Sequence, residues 1–204
     1  MPIRATLLGR AFLLLMVLPG AVLAFELNDL QTRLNQNDAL KGRFEQQRHL
    51  ADLDTQLRST GHFVYERDSK VVWTLETPVS DRLVFTPDNA SNTAARLDDE
   101  SDANNDRQRE QVGTLLLQLL QGDWQALQER FTLDLSGTAD DWQVTLTPKA
   151  EALRKRFTHI ELRGARYLEH VELHAANNDV LRVRFFDQQP YDPGATEAVD
   201  DAPR

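Results

Sequence analysis

The sequence contains no cysteine. Disulfide bonds, a thiol nucleophile, thiolate metal ligands and a lipidated cysteine are therefore excluded. An excess of basic residues is also missing, since 23 Lys and Arg stand against 32 Asp and Glu, for a net charge of −9. That balance argues against a nucleic-acid partner. A length of 204 residues with 41% hydrophobic content suits one globular domain held by its apolar core.

Long apolar runs are absent after the first 24 residues. Arg4 and Arg10 precede the uncharged stretch 11–24, which ends in short side chains and is typical of a secretory signal cleaved after Ala24. The stretch is shorter than the roughly 20 residues that a membrane-spanning helix needs, so an uncleaved anchor is the weaker interpretation. We expect a periplasmic protein whose mature chain begins at Phe25.

The mature chain divides into helical and strand-like segments. Leu27, Leu30 and Leu34 form one narrow apolar stripe, which predicts a surface helix of about three turns within 26–38. Alternating apolar residues from position 40 predict a meander of short strands. The stretch 88–109 has one leucine and no aromatic residue, which is typical of a long loop. A leucine-rich helix pair is predicted over 110–131, followed by five more strands. No βαβ alternation occurs, so the order predicts an α+β protein with an antiparallel sheet.

Signatures of catalysis are missing. The sequence has no glycine-rich phosphate loop, no GxSxG elbow and no HExxH motif. His170 and His174 share one face of a predicted strand, but at this spacing they stand about 13 Å apart, too far to hold one ion. The acidic loop offers Asp102, Asn104 and Asp106 in a calcium-like register, yet Arg107 stands where that loop requires glycine. We therefore predict no enzymatic activity, no cofactor and no metal.

Several short motifs occur in a fixed order along the chain. They are Phe-x-Gln at 44–46, Gly-His-Phe-Val-Tyr-Glu-Arg at 61–67, Trp-Thr-Leu-Glu-Thr-Pro at 73–78, Gly-Asp-Trp at 122–124 and Leu-Thr-Pro-Lys at 146–149. Together they resemble the LolA-type outer-membrane lipoprotein carriers over nearly all of the mature chain. Asp68, at a position where many carriers have proline, and the acidic loop indicate a divergent branch of that family.

The resemblance implies both a fold and a function. The fold is a strongly curved, unclosed antiparallel β-barrel, a half-barrel, with an N-terminal helix and a central helix pair plugging its concave face. It spans 25–187, with 1–24 as signal peptide and 188–204 as a disordered acidic tail. The function is that of a monomeric carrier that takes acyl chains of lipoproteins from an inner-membrane donor complex and passes them to an outer-membrane acceptor. A carrier of another lipid or apolar product, and an accessory structural or chaperone-like component of the envelope, stay open.

The resemblance also assigns site residues. Arg67 matches the arginine that latches the plug helices over the empty cavity, and its alternative is a solvated turn residue beside Asp68. Val71 matches a rim position that touches cargo or partner. The lipid-binding cavity candidates, whose alternative is an ordinary core, are Phe44, Phe63, Tyr65, Trp73, Leu75, Phe85, Leu115, Leu116, Leu119, Leu120 and Trp124.

Overall fold

The computed structural model describes residues 25–87, 119 and 124–194. Its helices are α1 (Leu27–Leu34), α2 (Trp124–Arg130) and α3 (Glu151–Arg154). Its strands are β1 (Ala39–Leu50), β2 (Thr55–Glu66), β3 (Lys70–Thr77), β4 (Asp81–Phe85), β5 (Phe131–Thr138), β6 (Asp141–Pro148), β7 (Phe157–Gly164), β8 (Leu168–Ala175) and β9 (Val180–Pro190). None of the helices in this part of the chain is long and apolar enough to cross a membrane.

All nine of these strands form one antiparallel sheet in the order β4-β3-β2-β1-β9-β8-β7-β6-β5. Each half is a meander of consecutive strands, and the first and last strands pair to join the halves. The outer strands β4 and β5 do not pair with each other, so the sheet is not closed into a barrel. The predicted α+β fold with an unclosed antiparallel sheet is confirmed.

One face of the sheet carries the core. Because side chains alternate between faces, every second residue of each strand points to the same side. In β6, for example, Trp142, Val144 and Leu146 are fully buried while the residues between them are half-buried. Matching positions on the other strands make one continuous apolar layer, which we call the inner face.

Helix α1 forms in the segment where the leucine spacing predicts a surface helix, but it ends at Leu34 and is shorter than the three turns expected. The backbone N–H of Glu26 donates to the Asp29 carboxylate at 2.9 Å, which stabilises the first turn. Leu30 is fully buried in the core. Arg33 donates to the Ala165 carbonyl at 2.9 Å and to Asp140 at 2.6 Å. The helix is thereby fixed to turns of the second meander.

The sheet extends further toward the C-terminus than the sequence predicts. Strand β9 runs to Pro190, so the boundary placed at residue 187 is wrong. The Gln188 side chain donates to the Leu168 carbonyl at 2.8 Å, and the Tyr191 hydroxyl donates to Glu66 at 2.7 Å. The signal peptide, the loop 88–109 and the rest of the tail beyond 194 lie outside the described residues.

Candidate functional site

Four aromatic rings occupy the centre of the inner face. Phe44 on β1 stacks on Trp73 on β3, with ring centroids 3.7 Å apart and planes at 22°. Phe185 on β9 meets Trp73 edge-on at 5.9 Å and Phe63 on β2 at 5.3 Å. The register explains this grouping, since Phe44 lies opposite Phe185 and Phe63 lies opposite Trp73. We call these four residues the aromatic cluster.

A glycine makes the stacking possible. Gly61 on β2 lies opposite Phe44 and next to the irregularity where β2 meets β3. A Cβ atom built there would stand 2.7 Å from Phe44 Cζ and 1.9 Å from the Thr74 carbonyl oxygen. Only a residue without a side chain lets both the ring and the neighbouring strand approach this closely.

A second row of buried side chains lies beside the aromatic cluster. Tyr65, Val71 and Phe85 are paired across β2, β3 and β4. Val71 is fully buried between the other two, although the resemblance assigns it to a rim. Leu75 on the same strand is partly buried against the core. Contact of Val71 with cargo or a partner stays a prediction.

Helix α2 lies against the inner face. Trp124 and Leu127 are 3% and 0% exposed and belong to the same core cluster as the strand residues. Leu119, in the preceding segment, is also buried there. The candidates Leu115, Leu116 and Leu120 lie outside the described residues.

Two polar atoms in this core are unpaired. Tyr65 Oη and Trp124 Nε1 are buried and have no hydrogen-bond partner among the described residues. Burial raises the pKa of the Tyr65 hydroxyl; Arg67 opposes the shift, and Asp68 and Asp38 add to it. Tyr65 therefore stays protonated and able to donate a hydrogen bond.

Arg67 follows β2 and binds the connection between α1 and β1. Its Nη1 donates to the Asn35 side chain at 2.7 Å, Nη2 to the Asn37 carbonyl at 2.8 Å and Nε to Asp38 at 3.2 Å. Its side chain is only 19% exposed, so it is not the solvated turn residue of the alternative interpretation. A latch on the central helices stays a prediction, because most of that segment lies outside the described residues.

The face of the sheet opposite the inner face carries polar and charged side chains that pair across neighbouring strands. His159 on β7 stacks on His174 on β8, with centroids 4.1 Å apart. His174 and Arg182 each lie 2.9 Å from Glu172. Burial raises the pKa of Glu172, but the Arg182 hydrogen bond and charge and the adjacent His174 outweigh it and hold that pKa below its usual value. Alternation alone places His174 on the same face as His170, but it does not reveal which residue of the neighbouring strand lies opposite, so the stacking on His159 was not predicted.

Two residues of the core beside the candidates were missed, Phe185 on β9 and Leu127 on α2. Phe185 could have been found, since alternation in β9 places it with Leu181 and Val183 on one face. Leu127 lies three residues after Trp124 and therefore on the same side of α2. The core on the inner face is thus apolar, with two unpaired polar atoms among its described residues.

A family model described as "Outer membrane lipoprotein carrier protein LolA" matches residues 35–197. The chain belongs to the LolA family. This confirms the resemblance drawn from the ordered motifs, and the unclosed sheet with helices on its inner face is the LolA-like open-barrel fold. That fold is a carrier or binding fold rather than a catalytic one.

Solved structures give more distant matches. A LolA superfamily protein from Nitrosomonas europaea is 8% identical, with 83% of this chain and 95% of that chain covered at a TM-score of 0.36. The MucA/MucB complex of Pseudomonas aeruginosa matches with 16% identity over 83% of this chain and 58% of that chain, at a TM-score of 0.45. No curated protein sequence matches the chain.

Proposed function

We propose that this LolA-family protein is a periplasmic carrier that binds acyl chains of lipoproteins on its inner face and hands them toward the outer membrane without covalent catalysis. The observation that carries this proposal is the family match over 35–197, which covers the sheet and helix α2 together. The aromatic cluster supports it, because rings from four strands offer a large apolar surface to one ligand.

Binding requires helix α2 to move or the core beneath it to open. Trp124 and Leu127 fill the space over the inner face, so an acyl chain would replace their contacts with its own. Such exchange is a two-state equilibrium that ligand shifts toward the open form. The cargo and the helix then compete for the same apolar surface.

An inner-membrane donor and an outer-membrane acceptor follow from the proposed transport, and we propose that the chain acts as a monomer. Two alternatives predict different outcomes: a carrier of another lipid binds that lipid in preference to lipopeptide, whereas an accessory envelope component binds neither.

The test is displacement of an environment-sensitive apolar dye from the purified protein. We expect the dye to fluoresce on binding and a palmitoylated lipopeptide to displace it, because both occupy the inner face. The same peptide without its acyl chains is the matched competitor and should not displace the dye. Phospholipid and polyene are tested as further competitors, and stronger displacement by either than by lipopeptide would indicate a different apolar cargo.

Paired variants locate the binding surface. Phe185→Asp places a charge in the aromatic cluster and should abolish binding of both dye and lipopeptide, provided circular dichroism shows that the sheet persists. Val84→Asp is the control, since Val84 is 44% exposed on the opposite face. Wild-type protein that binds neither dye nor lipopeptide would contradict the carrier function and favour a structural role.

A further inference from the structure

Trp142 in the core and half-buried Tyr191 at the end of the sheet both pair their side-chain donors. Trp142 is fully buried, and its Nε1 donates to the Ala165 carbonyl at 2.8 Å. The hydroxyl of Tyr191 donates to Glu66 at 2.7 Å. Tyr65 Oη and Trp124 Nε1 have the same chemistry but no partner among the described residues. A buried donor without a partner is costly to folding, so its retention calls for an explanation.

Both unpaired donors belong to the core layer that the carrier would open. Tyr65 is 1% exposed and lies between Leu40 and Val71 in the strand register. Trp124 is 3% exposed and is the first residue of α2. Neither residue is needed as a donor to hold the closed form together, because neither atom makes a hydrogen bond there.

The chemistry of the two atoms narrows the ligand class. An indole N–H can only donate, and a tyrosine hydroxyl can donate as well as accept. Each therefore suits an acceptor such as a carbonyl oxygen. An ester-linked acyl chain carries a carbonyl at its head, whereas a polyene or an ether-linked alkyl chain offers no carbonyl.

We propose that Tyr65 Oη and Trp124 Nε1 donate hydrogen bonds to acyl carbonyl oxygens of the ligand, so that the site selects acyl esters over hydrocarbon of equal length. This proposal rests on the proposed carrier function.

The position of Tyr65 supports a head-group contact. The charges of Arg67, Asp68 and Asp38 all act on its hydroxyl. Tyr65 is also the penultimate residue of β2, so it lies at the end of the strand, close to Arg67 and its polar partners. An acyl chain bound along the aromatic cluster would have its carbonyl end there and its tail in the apolar layer.

The experiment compares two lipopeptides with the same peptide and the same chain length. One carries two ester-linked palmitoyl chains and the other carries two ether-linked hexadecyl chains. We expect wild-type protein to bind the ester form about 2- to 10-fold more tightly, the range of one neutral hydrogen bond. Tyr65→Phe should reduce that preference toward unity, and its apo form should unfold at a temperature no lower than the wild type.

Controls separate the possible failures. Tyr167→Phe removes a hydroxyl from a half-buried ring beside Arg166 and should keep the ester preference. If Tyr65→Phe does not fold, the proposal is tested by the ratio of ester to ether affinity in the wild type and in Trp124→Phe. Equal binding of both lipopeptides by the wild type would overturn the hydrogen-bonding proposal and leave the carrier function standing. Binding of neither lipopeptide would overturn the carrier function and this proposal with it.

Discussion

Gly61 is the residue on which the aromatic cluster depends most directly. Gly61→Ala would place a Cβ atom 1.9 Å from the Thr74 carbonyl oxygen and 2.7 Å from the Phe44 ring. The backbone of β3 and the stack of Phe44 on Trp73 would both have to shift. We expect a loss of about 1 to 3 kcal/mol in the free energy of unfolding, measured by urea denaturation.

A second glycine provides the matched control for this prediction. The nearest atom to a Cβ at Gly194 is a flexible Asp192 side-chain oxygen at 3.4 Å, so Gly194→Ala should change stability little. Near-ultraviolet circular dichroism should show the disturbed rings in Gly61→Ala alone. A Gly61→Ala protein as stable as the wild type would show that β2 and β3 can separate without cost.

At the scale of elements, periodicity predicted most of what is observed. A helix forms over Leu27–Leu34, within the segment predicted for it, and the alternating segments form antiparallel strands. Alternation states which face a side chain occupies but not which strand lies beside it. The contact of Phe44 with Phe185 depends on pairing of β1 with β9, strands far apart in the sequence. The partners of Arg67 were missed for the same reason, because they lie in an irregular connection with no period.

The connection between α1 and β1 is held to the end of β2 by Arg67. Arg67→Leu removes its hydrogen bonds to Asn35, Asn37 and Asp38, and we expect a loss of about 1.5 to 3 kcal/mol in the free energy of unfolding. Arg67→Lys should recover only part of that loss, since an ammonium cannot reproduce the planar fork. Arg166→Leu, which changes an exposed arginine, is the control. Chemical denaturation of the four proteins measures the differences, and a stable Arg67→Leu protein would contradict the assigned role.

The same substitution tests the latch that the resemblance assigns to Arg67. If Arg67 also holds the central helices closed, Arg67→Leu should bind lipopeptide at least as tightly as the wild type but hand it over poorly. Retention and transfer must be assayed together, because a merely unstable protein would lose both. A variant that retains and transfers cargo normally would limit Arg67 to the connection after α1.

On the face of the sheet opposite the inner face, Glu172 on β8 pairs with Arg182 on β9. The pKa of Glu172 in the folded protein is lowered. Its contribution to stability is therefore present above the unfolded pKa and is lost as the pH falls through the folded pKa. We expect Glu172→Gln to be less stable than wild type by about 0.2 to 1 kcal/mol at pH 7, since the pair with Arg182 lies on the surface. Thermal unfolding from pH 7 down to pH 3 should show the difference shrinking below about pH 4.5.

The control for acid sensitivity is Glu129→Gln on α2. Glu129 is exposed and makes no ion pair within the part of the chain that the structure describes. Its substitution should leave the stability profile close to that of the wild type across the same pH range. A constant gap between wild type and Glu172→Gln at every pH would show that lost packing, not lost charge, causes the difference.

At the scale of the whole molecule, the proposed function sets a requirement on release. Burial of an acyl chain is favourable by about 0.8 kcal/mol per methylene, so a chain of about 14 carbons corresponds to about 10 kcal/mol before other costs. Spontaneous escape into water is then very slow. Delivery requires an acceptor that offers a comparable apolar surface while the carrier's helices return to their own contacts.

Exchange between copies of the protein tests this requirement without knowledge of the natural acceptor. Protein loaded with a fluorescent lipopeptide is mixed with an excess of empty, quencher-labelled protein at several concentrations. We expect the transfer rate to rise in proportion to the concentration of empty protein, because contact between two inner faces lets the chain pass without full exposure to water. Dilution of loaded protein into buffer alone is the control and should release little ligand. A transfer rate that does not depend on acceptor concentration would show that cargo leaves through water, and the unclosed sheet would then serve as a binding site rather than as a means of direct hand-over.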